Sequence, residues 1–497
     1  MKEPFTFIIG AVCGADPRHL PTDRINRRSA SLHSNGSSGR LAVPTIPMNT
    51  SALVSSRIPC RFTIGVASLA LAFGSLSLRA AEPALQLKDN DVWVMAGDSI
   101  TAQRLHTNYI EAFYRTRHPE WHLHFRNSGI GGNRTGSVLA RFDYDVAAWK
   151  PTIVSIELGM NDVNGTVEDY LKGMKQLIAK IRAIPAQPVL ISSSPVDDGS
   201  IMNDWKGERC QKIHPFTETL KKLAADENIV FVDQYHALID LWGQNRRKGE
   251  ALAVKNGAWP PKATPVPATP AATPATAAGG ATPAPVKKPE PPIAPSLIPL
   301  GGNPVHPGSV GQYNMAAVIL EGLKADGEVS SATIDAAGKV VEMKRCKITD
   351  VSAKDGKLSF TRLDESGPWP ILSTAKSALE LLPETLRLSR YLLRVRGLAD
   401  GEYHVSINGK PAATVTAKDL AAGWNISTVF DGELADLATK INALITNLEG
   451  KLNTDWRAAS KAKEEDKLTA AQKAIDDAEA EIQKAIQPVP LRFEITR

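Results

Sequence analysis

Short apolar runs alternate with longer amphipathic stretches from residue 90 to residue 250. The apolar runs predict β-strands over 92–99, 122–129, 152–159, 188–195 and 229–235. The stretches between them have helical spacing and predict α-helices over 102–117, 135–148, 167–183 and 208–227. This alternation predicts an α/β fold, a three-layer α/β/α sandwich whose parallel sheet is covered on both faces. Ligands of such sheets bind at the carboxyl ends of the strands, so residues that follow strands are the candidates for chemistry.

A segment rich in Pro, Ala and Thr, residues 255–297, interrupts this pattern. It offers few residues for a core, and its prolines break both helices and sheet ladders, which predicts a disordered, extended segment. The default interpretation of such a segment is a linker between domains. Here, however, the amphipathic stretch 309–325 follows and fits the last helix covering the same sheet. We therefore predict an insertion within one domain that spans residues 90–325.

The chain beyond residue 328 has a different pattern. Period-two alternation predicts a small antiparallel β unit within an accessory region, residues 328–497. Charged helical spacing over 432–487 predicts a helical hairpin, which either packs on the sheet, mediates oligomers or stays solvated. Trp456 and the "GPWP" segment over 367–370, which contains Trp369, either line a sugar site or are buried aromatics, and the second interpretation is favoured. The sequence does not predict the oligomeric state.

The charge is unevenly distributed along the chain. The net charge is +5, but the first 81 residues alone carry nine basic and three acidic residues, a net +6. The remainder is close to neutral, and 43% of all residues are hydrophobic, as in ordinary soluble proteins. The body of the protein therefore gives no indication of binding to nucleic acid or to anionic lipid.

The basic leader contains the features of a secretory signal peptide over residues 48–81. Arg57 and Arg61 precede an apolar run over 62–78, which small residues follow. A membrane anchor is the alternative, but the run is shorter than the roughly twenty residues that a span needs. We predict export to the periplasm or the extracellular space and no stable membrane insertion after cleavage. Residues 1–47 precede Met48 and are expected to be untranslated or disordered.

The cysteines do not form a metal or disulfide framework. Cys210 and Cys346 remain after the predicted cleavage, far apart in sequence and outside any zinc-binding spacing. We therefore predict no metal and no cofactor.

Four short blocks carry the candidate chemistry. Ser99 in "GDSI" follows the first predicted strand, where a serine is more often a helix cap. The paired glycines of "GIGGN" can present a backbone N–H to an anion, although alone they indicate only a turn. Asn161 in "GMND" offers a side-chain amide after the third strand. His306 in "NPVHP" precedes the last helix of the domain.

Together and in this order, the four blocks resemble those of the SGNH (GDSL-type) hydrolase family over roughly residues 90–325. The resemblance implies a flavodoxin-like fold, with Ser99 as the nucleophile and His306 as its general base. It also implies an oxyanion hole made of the backbone N–H groups of Ser99 and Gly132 and the side-chain amide of Asn161. Gly132 is chosen over Gly131 because the family's glycine directly precedes an Asp or Asn, here Asn133.

The sequence departs from the family at Asn303, where an Asp is usual three residues before the histidine. An amide can hold the imidazole but cannot offset the charge that the imidazolium acquires, and replacing the acid costs about ten-thousandfold in a Ser-His-Asp triad. Either Asn303 or a main-chain carbonyl orients His306, or the protein is a slow enzyme or no longer an enzyme. Asp98 and Asp162 are interpreted as capping and loop-fixing residues.

The resemblance implies an exported serine esterase that acts on acetyl or other short acyl esters. Carbohydrate esters are the preferred substrates, on the association between export and an accessory β unit. The alternative is a catalytically weak or inactive scaffold that serves as a binding or structural protein.

Overall fold

A computed structural model of the chain describes residues 84–261 and 292–497. The predicted leader 1–47, the predicted signal peptide 48–81 and most of the predicted insertion lie outside the described residues.

The first part of the described chain is built on a five-stranded parallel sheet of order β2-β1-β3-β4-β5. Its strands are β1 (Val92–Gly97), β2 (His124–Gly129), β3 (Ile153–Glu157), β4 (Gln187–Ile191) and β5 (Val230–Val232). Separate apolar clusters cover the two faces, one containing Phe113 and Tyr313 and the other Val138 and Leu177. The predicted three-layer α/β/α architecture is confirmed.

Helices connect the strands close to the predicted positions. They are α1 (Ser99–Ala102), α2 (Leu105–Arg117), α3 (Thr135–Asp145), α4 (Val167–Arg182), α5 (Glu208–Asp226), α6 (Gln234–Lys255) and α7 (Ser309–Gly322). The α6 helix was not predicted, and the strand predicted over 229–235 extends too far. The reason is Asp233, whose side chain accepts a hydrogen bond from His236 N and starts α6 directly after β5.

The described residues after residue 291 return to the sheet domain by packing on α6. Asn245 donates its side-chain amide to Ile298 O at 2.8 Å and accepts from Ile298 N at 3.0 Å. Arg246 donates to Ala294 O. Part of the segment predicted as disordered is thus bound to the helix that precedes it, and α7 then covers the sheet as predicted.

The accessory region contains two further sheets. One has the order β13-β10-β6-β7 and the other β12-β11-β14-β9-β8. Their strands are β6 (Glu328–Asp335), β7 (Val340–Lys344), β8 (Cys346–Lys354), β9 (Lys357–Asp364), β10 (Arg390–Arg396), β11 (Glu402–Ile407), β12 (Lys410–Thr416), β13 (Trp424–Asn425) and β14 (Leu491–Thr496). An antiparallel unit was predicted, but the pairing is mixed, because β10 pairs in parallel with β6. The long connection between these strands makes a parallel pair possible.

That connection also joins the accessory region to the first domain. Trp369 is buried in the core of the first domain, stacks on Tyr313 and donates its indole N–H to Tyr109 O at 2.9 Å. Trp456 is also buried and stacks on Trp149. Both tryptophans are therefore packing residues rather than parts of an open sugar site.

The remaining helices include the predicted hairpin. They are α8 (Ala378–Leu381), α9 (Ala417–Ala422), α10 (Gly432–Lys451), α11 (Arg457–Ala462) and α12 (Glu465–Ala485), with a π-helical segment over Leu452–Trp456. The hairpin packs against α2 and beside the edge strand β2, where Glu479 accepts a hydrogen bond from Arg126 at 2.6 Å. It thereby covers a sheet edge that would otherwise present unpaired backbone groups.

Two further observations concern the cysteines and the apolarity of the helices. Cys210 and Cys346 are both free thiols. Among the helices in the described part of the chain, none is long and apolar enough to cross a membrane.

Candidate active site

Ser99 and His306 meet at the carboxyl edge of the parallel sheet. Ser99 is the first residue of α1, directly after β1, and His306 lies in the loop before α7. The imidazole Nε2 is 2.8 Å from Ser99 Oγ, although 207 positions separate the two residues. Both side chains are half-buried, so each remains accessible from solvent. A neutral imidazole at this distance can accept the hydroxyl proton, which is what makes a serine nucleophilic.

The loop that carries His306 is a narrow turn closed by its own backbone. Gly302 and Pro307 form an isolated antiparallel bridge, and Asn303 N donates to His306 O at 3.0 Å. Gly302 has φ +62°, and a Cβ at this position would lie 2.1 Å from His306 O. A side chain at position 302 would therefore displace the histidine backbone.

Asn303 does not contact the imidazole. Its Oδ1 accepts hydrogen bonds from Val305 N at 3.0 Å and from His306 N at 2.9 Å. The side chain thus fixes the turn rather than the ring, which departs from the role expected from the sequence. Within residues 84–261 and 292–497 no acceptor is found for the ring Nδ1 of His306 either, whether a side chain or a main-chain carbonyl.

The three groups assigned to an oxyanion hole lie on loops that are hydrogen-bonded to one another. Gly132 has φ +74° in a turn where Asn133 N donates to Ile130 O at 3.2 Å. Its own N–H finds no acceptor in the described part of the protein. The Asn161 amide, by contrast, donates to Asp98 Oδ2 and to Asn133 O, each at 3.2 Å. These long bonds hold Asn161 beside Asp98, the residue before the serine.

Asp98 and Asp162 occupy capping positions at this edge. Asp98 is buried and its Oδ1 accepts from Ile100 N at 2.9 Å. Burial raises the pKa of Asp98 to about 7, although the bond from Ile100 N works in the opposite direction. Asp162 Oδ1 accepts from both the backbone N–H and the hydroxyl of Thr135, each at 3.0 Å. It thereby ties the loop of Asn161 to the start of α3.

A buried polar pair that the sequence did not reveal lies beneath the site. His106 Nε2 is 2.9 Å from Glu157 Oε2, and Gln312 Oε1 accepts from His106 N at 3.1 Å. Burial by itself lowers the pKa of His106, but Glu157 and Gln312 outweigh it, so that this pKa is raised. The pair joins β3 and α2 to the start of α7, six residues after His306. The only sequence signal was the charged residue that closes the apolar run of β3.

A second feature that the sequence did not reveal is a series of ion pairs and hydrogen bonds. It runs from the accessory hairpin to the loop that contains Gly132. Arg457 Nε donates to Asp145 Oδ1 at 2.7 Å, and the other oxygen of Asp145 accepts from Arg141. Arg141 Nε then donates to Asn133 Oδ1 at 2.8 Å. Asn133 follows Gly132 and accepts from Asn161, so the series ends among the assigned oxyanion groups. Arg457 and Asp145 are 312 positions apart in sequence, and no local sequence pattern indicates such a contact.

Comparison with known families matches residues 95–251 to the model of the GDSL-like lipase/acylhydrolase family. This range includes Ser99, Gly132 and Asn161 and ends before His306. An acetylxylan esterase from Geobacillus stearothermophilus is 24% identical over 137 residues, which cover 25% of this chain. The match covers 60% of the length of that esterase.

Solved structures extend the similarity in fold. A gut microbial diltiazem-metabolizing enzyme is 19% identical, with a TM-score of 0.63, and the match covers 83% of this chain and 98% of that one. The shared fold therefore includes the accessory region. A structure of the G. stearothermophilus acetylxylan esterase is 17% identical, with a TM-score of 0.34 over 48% of this chain and 96% of the esterase.

Proposed function

We propose that the protein is a serine ester hydrolase, in agreement with the match of residues 95–251 to the model of the GDSL-like lipase/acylhydrolase family. The observation that carries the proposal is the 2.8 Å contact between His306 Nε2 and Ser99 Oγ. A general base must lie within hydrogen-bonding distance of the proton that it abstracts, and this contact meets that requirement.

The reaction follows from that contact. His306 Nε2 takes the proton from Ser99 Oγ as the oxygen attacks the ester carbonyl carbon, and the carbonyl oxygen becomes an oxyanion. The imidazolium then gives its proton to the leaving alcohol, and an acyl group remains on Ser99. Water attacks this acyl-enzyme with His306 again as the base, which releases the acid and restores the serine.

The oxyanion receives hydrogen bonds from the N–H groups of Ser99 and Gly132 and from the Asn161 amide. The N–H of Gly132 has no acceptor among the described residues and serves this purpose directly, while Asn161 must turn one N–H away from Asn133 O or Asp98 Oδ2. Both of those bonds are long, and a charged oxygen is a stronger acceptor than a backbone carbonyl. The oxyanion therefore outcompetes Asn133 O for this N–H.

We assign acetyl or other short acyl esters as substrates, including esters carried on carbohydrate. The support is the similarity to an esterase that acts on acetylxylan. Export through the segment 48–81 would bring the enzyme to such polymers, and that segment lies outside the described residues. The acyl-enzyme route needs neither a metal nor a cofactor.

One observation favours a second candidate, a binding protein that retains the scaffold. In the described residues His306 has no partner at Nδ1, and Asn303 is occupied by the loop backbone. An imidazole without an orienting acceptor is a weaker base. Measurements of turnover and of serine labelling separate the two candidates.

The experiment measures hydrolysis of p-nitrophenyl acetate and of acetylated xylo-oligosaccharides by the wild type, Ser99→Ala and the control Ser352→Ala, which changes a serine of β8. We expect turnover in the wild type and the control and background rates in Ser99→Ala. A fluorophosphonate should label one serine per chain except in Ser99→Ala. Background rates and no labelling in all three proteins would leave only the scaffold.

A further inference from the structure

Three side chains that commonly bind metals converge near the edge strand β5. His214 and Glu218 lie one turn apart on α5, and His236 lies in the first turn of α6. Each offers one ligand atom, and these atoms all lie within 4.8 Å of one another. The two histidines are half-buried and Glu218 is more exposed.

The spacing of two of these atoms suits a shared ion. His236 Nε2 is 3.3 Å from Glu218 Oε1. Zinc holds nitrogen and carboxylate ligands at about 2.0–2.1 Å in a tetrahedron, which places neighbouring ligand atoms about 3.3 Å apart. A small rotation of the exposed Glu218 side chain would admit the ion between them.

The other nitrogen of His236 is already held as metal-binding histidines usually are. Its Nδ1 is 2.8 Å from the carboxylate of Asp233, the residue that starts α6. A carboxylate in this position keeps the proton on Nδ1 and directs the lone pair of Nε2 outward, which is the form that binds zinc. Lys221 Nζ approaches Asp233 Oδ2, one of the two oxygens that His236 Nδ1 also reaches, at 3.4 Å, and does not contact the three ligands.

Hydrogen bonding alone accounts for His236 but not for His214. Contacts of His236 with Asp233 and with Glu218 would satisfy all three side chains without an ion. His214 contacts the rings of Trp205, Tyr235 and His236, yet in the described part of the chain it has no hydrogen-bond partner. A half-buried imidazole that faces a carboxylate and a second imidazole, with neither ring nitrogen paired, is explained by a shared cation.

We propose that His214, Glu218 and His236 bind one divalent transition metal, zinc above all, with water as the fourth ligand. The mixture of two imidazoles and one carboxylate suits zinc and excludes magnesium and calcium, which prefer oxygen ligands. In the sheet β5 is separated from β1 by β4 and β3, so the ion takes no part in ester cleavage. It stabilises the protein by joining α5 to α6, and this role does not depend on the proposed function.

This proposal differs from the expectation of no metal, which rested on spacings along the chain. The pair His214 and Glu218 has the spacing of neighbours on a helix, but His236 joins them only through the turn at Asp233 that starts α6. That helix was itself missed, and His236 directly follows the strand predicted over 229–235.

The test titrates chelator-treated full-length protein with zinc chloride in a calorimeter and records the melting temperature in parallel. We expect one zinc ion per chain with micromolar affinity and a higher melting temperature when zinc is present. His214→Ala and Glu218→Gln should each lose the site, and Asp233→Asn should weaken it about tenfold or more. His122→Ala is the matched control, since this exposed histidine faces Asp89 at 3.5 Å outside the cluster.

Glu218→Gln keeps the proposal testable if His214→Ala fails to fold, because an exposed side chain is replaced by one of the same shape. Equal zinc affinity in the wild type and Glu218→Gln would identify the binding as adventitious and overturn the proposal. Absence of any binding by the wild type would overturn it as well, and would leave the hydrogen-bonded His236 as the complete explanation. Neither result depends on esterase activity.

Discussion

The serine half and the histidine half of the candidate site are held in different ways. On the serine side, Asp98, Asn161 and Asn133 are linked by side-chain hydrogen bonds, and the buried Asp145 and Arg141 support Asn133 from below. That network continues into the accessory hairpin through Arg457. The donors assigned to the oxyanion are therefore fixed by parts of the chain that are distant in sequence.

On the histidine side the contacts are almost all local. Asn303 accepts from the backbone amides of Val305 and His306, and Gly302 pairs with Pro307. Besides the contact of His306 with Ser99, a backbone bond from Asp197 N to Pro304 O at 2.8 Å joins this turn to another loop. Electrostatic stabilisation depends on donors whose positions are set before charge develops, so that only a small turn such as that of the Asn161 amide remains, whereas a base must only reach its proton. The rigid network is thus on the side where rigidity contributes most to catalysis.

The largest expected effect tests whether the two halves act as one unit. Ser99→Ala and His306→Ala should each lower kcat by about 10⁴-fold or more, and the double variant should be no slower than either, because each residue is useless without the other. Steady-state kinetics with p-nitrophenyl acetate measures this. Additive losses in the double variant would show that Ser99 and His306 act independently and would contradict the mechanism.

The next effect isolates the serine half. Asn161→Ala removes one assigned oxyanion donor and should lower kcat by about 10²–10³-fold with little change in KM. Asn164→Ala is the control, since that exposed side-chain amide donates only to a backbone carbonyl, Asn161 O, among the described residues. A loss in KM alone would instead place Asn161 in ground-state binding.

A smaller effect should come from the accessory hairpin. Arg457→Ala releases Asp145, and through Arg141 it loosens Asn133 beside the oxyanion donors, so kcat should fall on the order of tenfold. KM should change little, and Arg457→Lys should recover part of the loss by keeping one bond to Asp145.

The control for the hairpin is Lys467→Ala, which removes an exposed ion pair with Glu464 on the same hairpin. Such pairs contribute little, so neither kcat nor stability should change measurably. Equal losses of kcat in Arg457→Ala and Lys467→Ala would mean that the hairpin acts only through general stability.

The sheet, its helices and the four blocks were accessible from sequence because each depends on local pattern. Apolar runs predict strands, and residues directly after parallel strands must share one edge, so the sequence alone was sufficient to group Ser99, Gly132 and Asn161. His306 was harder to place, since residues 255–297 separate it from the preceding element, and the resemblance to a family supplied its role.

The features that the sequence did not predict are contacts between segments that are distant along the chain. Nothing near Arg457 or Asp145 in sequence indicates that they pair, and the direction of the Asn303 side chain depends on the turn that it closes. The parallel pairing of β6 with β10 likewise depends on where a long connection packs, in this case through Trp369 into the first domain. Local patterns specify helices and strands, whereas these contacts depend on how the distant segments pack against one another.

Asp98 provides a test through pH. Its pKa is raised from 3.8 to about 7 in the folded protein, so between these values the folded state binds more protons than the unfolded state. The free energy of unfolding should therefore fall as pH rises from about 4 to 7, with a slope from this group of at most about 1.4 kcal/mol per pH unit. Asp98→Asn should flatten that slope in urea unfolding curves, and an unchanged slope would contradict the assignment.

The smallest expected effect concerns Asn303, where the family usually has an acid. If Asn303 oriented the imidazole, Asn303→Asp would raise kcat by up to about 10⁴-fold. Its Oδ1 instead accepts from Val305 N and His306 N, and Asp and Asn are nearly equivalent acceptors for such amides. We therefore expect kcat of Asn303→Asp within about threefold of the wild type, and a larger loss in Asn303→Ala, which frees two amides and costs about 1 kcal/mol for each bond. A gain of tenfold or more in Asn303→Asp would show that the new carboxylate turns to the imidazole. The absence of a negative charge beside His306, rather than the geometry of its turn, would then be what limits kcat in the wild type.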